Sequence, residues 1–335
     1  MTRTPFILSR YKRRLPACAA LVAGALVVSI SAHAAAARPV GPTHSKKLTV
    51  VTVAGFPSAG QVQFAIGSAE GIFARHGLKV EYTANNNLGV LPAAAAANQY
   101  DFVMTVAPIF ISAVAAHLPV VATLGGALES TEPLALVVPN NSGISTAASL
   151  EGKSIATGAV QGNFSYCLRY WMYAHGAHNT AVNLQLVPIT NMPAELNAGL
   201  VNGALINAPF SKAVLATGQY VSLGDPCTTI GSTRAAPQLL AFDISNATWA
   251  RSNGPTIKAM RAAIVDVNKW IQGHKTKALA MVASFSDVPL SVIQGQPLPA
   301  FVATETPADV YRWETAMEAI GVLPGRVDLS AAIAK

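Results

Sequence analysis

The stretch Glu70-Gly71-Ile72-Phe73-Ala74-Arg75-His76-Gly77-Leu78-Lys79-Val80-Glu81 decides the architecture. A helix running from Gln61 to about Phe73 ends there, Gly77 closes the unit, and Leu78 to Tyr82 alternates as a strand. Upstream, Leu48 to Val53 reads as a first strand, joined to the helix by the loop 54–60. Strand, helix and strand in that order predict a parallel β-α-β unit.

The same alternation continues outward. A helix is expected over Val90–Ala97, a strand at Phe102–Thr105, a helix at Ile109–Ala116 and a strand at Val120–Leu124. The pattern restarts after Glu132-Pro133, with strands at Leu134–Val138, Ser154–Thr157, Leu184–Ile189 and Ala204–Asn207. Helices are expected at Asn163–His175, Pro193–Leu200 and Pro209–Ala216. Gln238–Asp243 returns to strand, and everything after Ala247 is helical, with segments at 257–271, 276–284 and 308–320. No Pro- or Ser-rich linker separates the halves. Short crossovers are therefore expected at Glu129–Leu134 and Arg234–Gln238, making lobe one discontinuous (46–132 plus 236–335) around a continuous lobe two (133–235).

Residues 1–37 read as a secretory leader. Arg3, Arg10, Lys12, Arg13 and Arg14 precede an apolar run from Ala19 to Ile30, followed by small residues ending at Ala37. Leu15-Pro16-Ala17-Cys18 is like a lipoprotein box, but its apolar run follows the cysteine instead of preceding it. Arg13-Arg14 leaves twin-arginine export open. The chain is formally +7, and five basic residues belong to the leader, which leaves +2 on the remainder. The basicity is therefore a targeting feature, and no nucleic-acid partner is expected. Cys167 and Cys227 remain after the leader; in an oxidising compartment they either pair or sit as separate buried thiols.

Several segments resemble one family in register. "EGIFARHGLKVE" (70–81), "AAAANQYDF" (94–102), "SGISTAASLEGKSIAT" (142–157) and "LNAGLVNGALINAPF" (196–210) are similar to the signatures of periplasmic solute-binding proteins for nitrate, sulfonates, taurine and thiamine precursors. Asn98-Gln99 and Asn202-Gly203 depart from the usual residues at their steps. The resemblance implies a type II periplasmic-binding fold: an α/β two-lobed clamp, each lobe a mostly parallel sheet flanked by helices, with a helical C-terminal tail. It implies a monomeric periplasmic protein that closes on a small molecule and delivers it to the membrane permease of an ABC importer. No cofactor and no catalytic residue is implied.

Ligands of such sheets lie beyond the carboxyl ends of the strands, at helix N-termini. That address selects Pro57, Ser58 and Gln61 from the first strand-to-helix loop, and Gln161, Gly162, Asn163 and Phe164 from the loop before the helix at 163. Thr105 and Ala107 follow a third strand, where the family resemblance implies an orienting contact, and Asn207 and Phe210 follow a fourth. A cargo bridging Ser58 and Gln61 to Gln161 and Asn163 would hold both lobes. None of these loops carries Arg or Lys, which points to a neutral or weakly charged, aromatic or amide-bearing cargo; Arg169 and Arg234 are the cations that could reach the cleft. His175 and His178 at a helix end are the nearest approach to a metal pair, read as a solvated terminus without an acidic neighbour, so no metal is expected. No zinc, nucleophile-elbow or dinucleotide motif is present. An enzyme of the same fold, or a sensory binding protein, remains the alternative.

Overall fold

A computed structural model describes residues 47–335, except 86, 129–133, 208–209, 232–238, 295–297, 299, 306 and 334–335. The leader and the two expected crossover segments (save Leu134 at the edge of the first) lie outside the described residues. No helix among the described residues is long and apolar enough to cross a membrane.

The strands are β1 (Thr49–Gly55), β2 (Leu78–Ala84), β3 (Phe102–Thr105), β4 (Val120–Leu124), β5 (Ala135–Pro139), β6 (Ser154–Thr157), β7 (Asn183–Leu186), β8 (Gly203–Ile206), β9 (Tyr220–Ser222) and β10 (Phe242–Asn246). The helices are α1 (Val62–Ala69), α2 (Ile72–Arg75), α3 (Leu91–Ala96), α4 (Ala107–Ala115), α5 (Asn163–Ala174), α6 (Met192–Asn197), α7 (Phe210–Leu215), α8 (Ala247–Ser252), α9 (Gly254–Gly273), α10 (Lys275–Ser286), α11 (Leu290–Ile293) and α12 (Pro307–Ala319). The opening stretch behaves as read, with one refinement. Gly71 at φ +64° breaks the helix into α1 and α2, and Gly77 at φ +76° turns the chain into β2.

Two five-stranded sheets result, ordered β2-β1-β3-β10-β4 in lobe one and β7-β6-β8-β5-β9 in lobe two. In lobe one β1 pairs parallel with β2 and β3, while β10 is antiparallel to both β3 and β4. Lobe two repeats this: β6 is parallel to β7 and β8, and β5 is antiparallel to β8 and β9. Four strands of each sheet therefore run one way, and the reversed strand is the one that arrives from the other lobe. That reversal has a geometric cause. A chain leaving lobe one at the carboxyl end of β4 and crossing directly enters lobe two at its carboxyl edge, so it must run backwards through that sheet; β10 repeats the step in return. The crossovers thus mark where the carboxyl ends of both sheets meet. The edge strand β9 is absent from the sequence reading, and the strand expected at 238–243 begins only at Phe242.

The segments that flank the crossovers, 125–128 and 239–241, pair with each other. Leu128 bridges Leu239, and the Leu240 N–H donates to the Ala127 carbonyl at 2.8 Å. A third segment, 300–303, lies along the first crossover: Val302 N–H donates to Gly126 O at 2.9 Å and Gly125 N–H to Ala303 O at 3.0 Å. Asn268 of α9 holds this strap through both the N–H and the carbonyl of Phe301. The crowding explains Gly125-Gly126. A Cβ at Gly126 would lie 2.2 Å from the Ala241 carbonyl oxygen, and one at Gly125 2.4 Å from that of Val302.

The core is layered about this junction. Val51, Phe64, Phe73 and Ile264 fill one face of the lobe-one sheet, and Val137, Ile206 and Met192 one face of the lobe-two sheet. A third cluster joins Phe110 and Phe242 of lobe one to Leu136 and Leu168 of lobe two through Trp313 and Met317 of α12. One tail helix is therefore packed into both lobes, with Trp313 completely buried and its indole N–H without a protein partner.

Candidate functional site

The loop after β1 turns through Phe56–Ser58 into a single 3-10 turn, Ala59–Gln61, before α1. Ser58 is extended (φ −137°, ψ 172°) and half-buried, and its hydroxyl makes no capping bond to the helix. A Cβ on Gly60 would touch Ala127 of the crossover at 3.6 Å, so this loop lies against the junction. Pro57 beside it is also half-buried.

The loop after β6 is braced internally: the Ser165 hydroxyl donates to Ala159 O at 2.7 Å and lies 2.9 Å from the Thr157 hydroxyl. Gly162 is the N-cap of α5. The Asn163 amide then donates to the Leu240 carbonyl at 3.0 Å, while its own Oδ1 is buried without a protein partner. Gln161 is exposed, and Phe164 is half-buried with its ring packed on the shared core. The structure therefore brings two of the expected segments together. Gly60 from lobe one faces Ala127, Asn163 from lobe two bonds to Leu240, and Leu240 in turn donates to Ala127.

The other two segments differ. Thr105 is fully buried, with its hydroxyl 3.4 Å from the Val106 carbonyl, and Ala107 is buried at the start of α4, so only backbone groups are offered there. Asn207 and Phe210 are half-buried at the start of α7; the Asn207 carbonyl accepts the Ser211 N–H, and Phe210 packs on the lobe-two core. Gln61 departs from its expected role. It is completely buried, with its amide 3.5 Å from Asp243 Oδ1, a long contact that leaves Gln61 Oε1 without a partner.

Asp243 was not singled out in the sequence, although an acid inside Leu239-Leu240-Ala241-Phe242-Asp243-Ile244 is the available signal. Burial pushes its carboxyl up to about 8; the Gln61 amide opposes the shift and Glu305 adds to it. Glu305 is itself raised, first by burial, with Arg261 pulling the other way. The Tyr82 hydroxyl is raised by burial and by Asp243. Oδ2 of Asp243, both Glu305 carboxylate oxygens and the Tyr82 hydroxyl are buried without protein partners, a concentration of unsatisfied polar atoms behind the lobe-one wall.

The two cations left open resolve differently. Arg169 donates to Asn179 Oδ1 at 3.0 Å and Ile320 O at 3.4 Å and lies over the Tyr166 ring, so it ties α5 to the segment after α12. Arg234 lies outside the described residues. His178 does have an acidic neighbour: its backbone N–H donates to Glu151 Oε1 at 2.8 Å and its Nδ1 lies 3.1 Å away, and these contacts, the backbone one first, hold the Glu151 carboxyl below its usual value. No group of three metal-ligating side chains occurs among the described residues. Cys167 of α5 and Cys227 are joined by a disulfide.

Two mixed sheets exchanging strands at their carboxyl ends, with loops of both on the crossovers, define the fold of the two-lobed periplasmic binding proteins. The NMT1-like family pattern matches residues 44–285, and the chain belongs to that family. The periplasmic aliphatic sulphonate binding protein SsuA from Escherichia coli is similar in structure (TM-score 0.68, 17% identity, covering 85% of this chain and 97% of that one). So is the periplasmic nitrate-binding protein NrtA from Synechocystis PCC 6803 (TM-score 0.66, 15% identity, covering 85% of each chain). The desulfurization enzyme DszB shares the fold at TM-score 0.56 and 13% identity, covering 85% of this chain and 96% of that one. Comparison with curated protein sequences finds no match.

Proposed function

We propose that this chain is an extracytoplasmic solute-binding protein that takes a small organic molecule between its lobes by closure and passes it to an ABC importer. The observation that carries the reading is the convergence of Gly60, two residues after Ser58 in the first loop, and Asn163, from different lobes, on Ala127 and Leu240. A molecule touching both loops bridges the two sheets across their hinge, and its greater affinity for the closed form drives closure. The lobes are read as 46–132 with 236–335, and 133–235. The protein works as a monomer in the periplasm after removal of residues 1–37, without cofactor.

The cleft segments supply Ser58, Gln161, Asn163 and backbone amides, and no cationic side chain among the described residues. Such a wall suits a sulfonate, thiamine-precursor-like, or aromatic or amide-bearing solute of little or no charge, recognised by hydrogen bonds. A thermal-shift screen of sulfonates, nitrate, pyrimidines, aromatic acids and amides tests this. A rise in melting temperature with one class, accompanied by compaction in small-angle scattering, supports the reading. DszB carries the second reading, since this fold also hosts an enzyme; turnover of any stabilising compound by purified protein would replace binding with catalysis.

A further inference from the structure

A cavity of about 510 Å³ lies on lobe one, between β4 and helices α8 and α9, and none of Ser58, Gln161 or Asn163 lines it. Its lining divides by chemistry. Val121, Ala250 and Ile257 make an apolar floor, and Arg251, Lys258 and Arg261 stand around it. No carboxylate lines it among the described residues. On a chain whose body is close to neutral, three cations around one hollow are a local concentration of positive charge.

The helix geometry accounts for the arrangement. Positions 254, 257, 258 and 261 recur at helical spacing, so α9 turns Gly254, Ile257, Lys258 and Arg261 toward the same side. Gly254 opens this 20-residue helix and also lines the cavity, so the positive end of its dipole adds to the side chains. The Asn253 side chain does not cap that end; it donates to the Trp249 carbonyl at 2.9 Å. Arg261 is the least available cation, because its Nε donates to Thr123 O at 2.8 Å and Glu305 lies within its field. Arg251 and Lys258 are exposed at the rim; of these Arg251 is engaged with Thr248 Oγ1 at 3.0 Å.

We infer that this cavity is a second binding site, separate from the cleft, for an amphiphilic organic anion: one carboxylate or sulfonate head on Arg251, Lys258 and the α9 terminus, and an apolar body on the Val121–Ala250–Ile257 floor. Its volume falls in the range of small-molecule sites, roughly 300–1,000 Å³. The floor separates this class from inorganic anions, which gain nothing from apolar contact, and the cations separate it from neutral hydrophobes.

The experiment titrates the mature protein with hexanoate and hexanesulfonate, with hexanol and sodium sulfate as controls, and follows the backbone amide signals of Ala250, Gly254 and Ile257 by NMR. The expected result is saturable shifts at those amides, with a dissociation constant of about 1 mM or tighter for both amphiphiles and at least tenfold weaker binding of hexanol and of sulfate. Arg251→Gln with Lys258→Gln weakens both amphiphiles at least tenfold while the melting temperature holds. Ile257→Ser, as an independent variant, weakens hexanoate without changing the response to sulfate. Three outcomes overturn the inference: no saturable shift up to about 10 mM, sulfate binding as tightly as hexanesulfonate, or shifts confined to Ser58 and Asn163. The last would assign these compounds to the cleft.

Discussion

The two lobes share one strand order but are held together differently. Lobe one is backed by α9, twenty residues long, and by α10, so its sheet is covered by large helices from the tail. Lobe two has shorter helices, and its longest, α5, is tied by the Cys167–Cys227 disulfide to the 3-10 turn Pro226–Ile230 that precedes the return crossover. Lobe one also buries the acids Asp243, Glu305 and Glu314, while the buried polar side chains of lobe two among the described residues are the uncharged Thr157, Asn163, Ser165 and Ser211. The same topology is therefore secured by packing in one lobe and by a covalent tie in the other. Lobe two should depend on oxidation, and lobe one on pH.

The largest expected effect tests the covalent side. The disulfide spans 60 residues, and closing a loop of that length in the unfolded chain is worth about 4 kcal/mol on the chain-entropy account. Denaturant unfolding with and without reductant should show a loss of that order, with hydrogen exchange accelerating first in β5 to β9. Equal acceleration in β1 to β3 would break the contrast between the lobes.

Next in size is the hinge itself. Gly126→Ala places a methyl carbon against the Ala241 carbonyl, where backbone must move, at a cost of about 1–3 kcal/mol. Because both lobes meet here, the variant should destabilise the whole chain in one transition. Two separated transitions would show that the lobes unfold independently.

Lobe one's buried acids give an effect spread over pH. Folded Asp243 keeps its proton up to about pH 8, whereas an unfolded aspartate loses it near 3.8. Between those values the native state holds more protons, so stability is greatest below the lower value and falls as pH rises through the upper, with a slope of at most ~1.4 kcal/mol per pH unit for one group. Glu305, also raised, acts in the same direction. Asp243→Asn should match the parent protein near pH 4 and exceed it at pH 8 to 9 in thermal melts. A parent protein whose stability rises from pH 5 to pH 8 would contradict the assignment.

The features that could be read from the sequence are local ones. Gly71, Gly77 and the alternation over Leu78–Tyr82 fix the first β-α-β unit through backbone sterics alone, and the restart after Glu132-Pro133 marks the second half. Loop addresses were legible for the same reason, since Ser58 and Asn163 follow strands and open helical segments. Asp243 and Gln61 were not, because their meaning lies in a contact across 182 residues that periodicity does not encode. Strand β9 has only three residues, too few to alternate, and the strap at 300–303 acquires its role only by lying along Gly125 and Gly126.

The smallest effect bears on the cleft. Ser58→Ala with Gln161→Ala removes one hydroxyl and one amide from opposite walls, leaving the braced loops and the crossovers intact. Neither side chain supplies a capping bond or is fully buried, so the melting temperature without ligand should hold. If a cargo spans the lobes, its affinity should fall at least roughly tenfold, about 1.4 kcal/mol. Asn163→Ala sharpens the comparison, because it removes the amide held by Leu240 and exposes the junction as well as the wall. Loss of affinity in both variants, with destabilisation only in the second, separates the groups that touch cargo from the group that also fixes the hinge. Unchanged affinity in the double variant would move the cargo away from these loops, leaving Asn163 a purely structural tie between α5 and the returning chain.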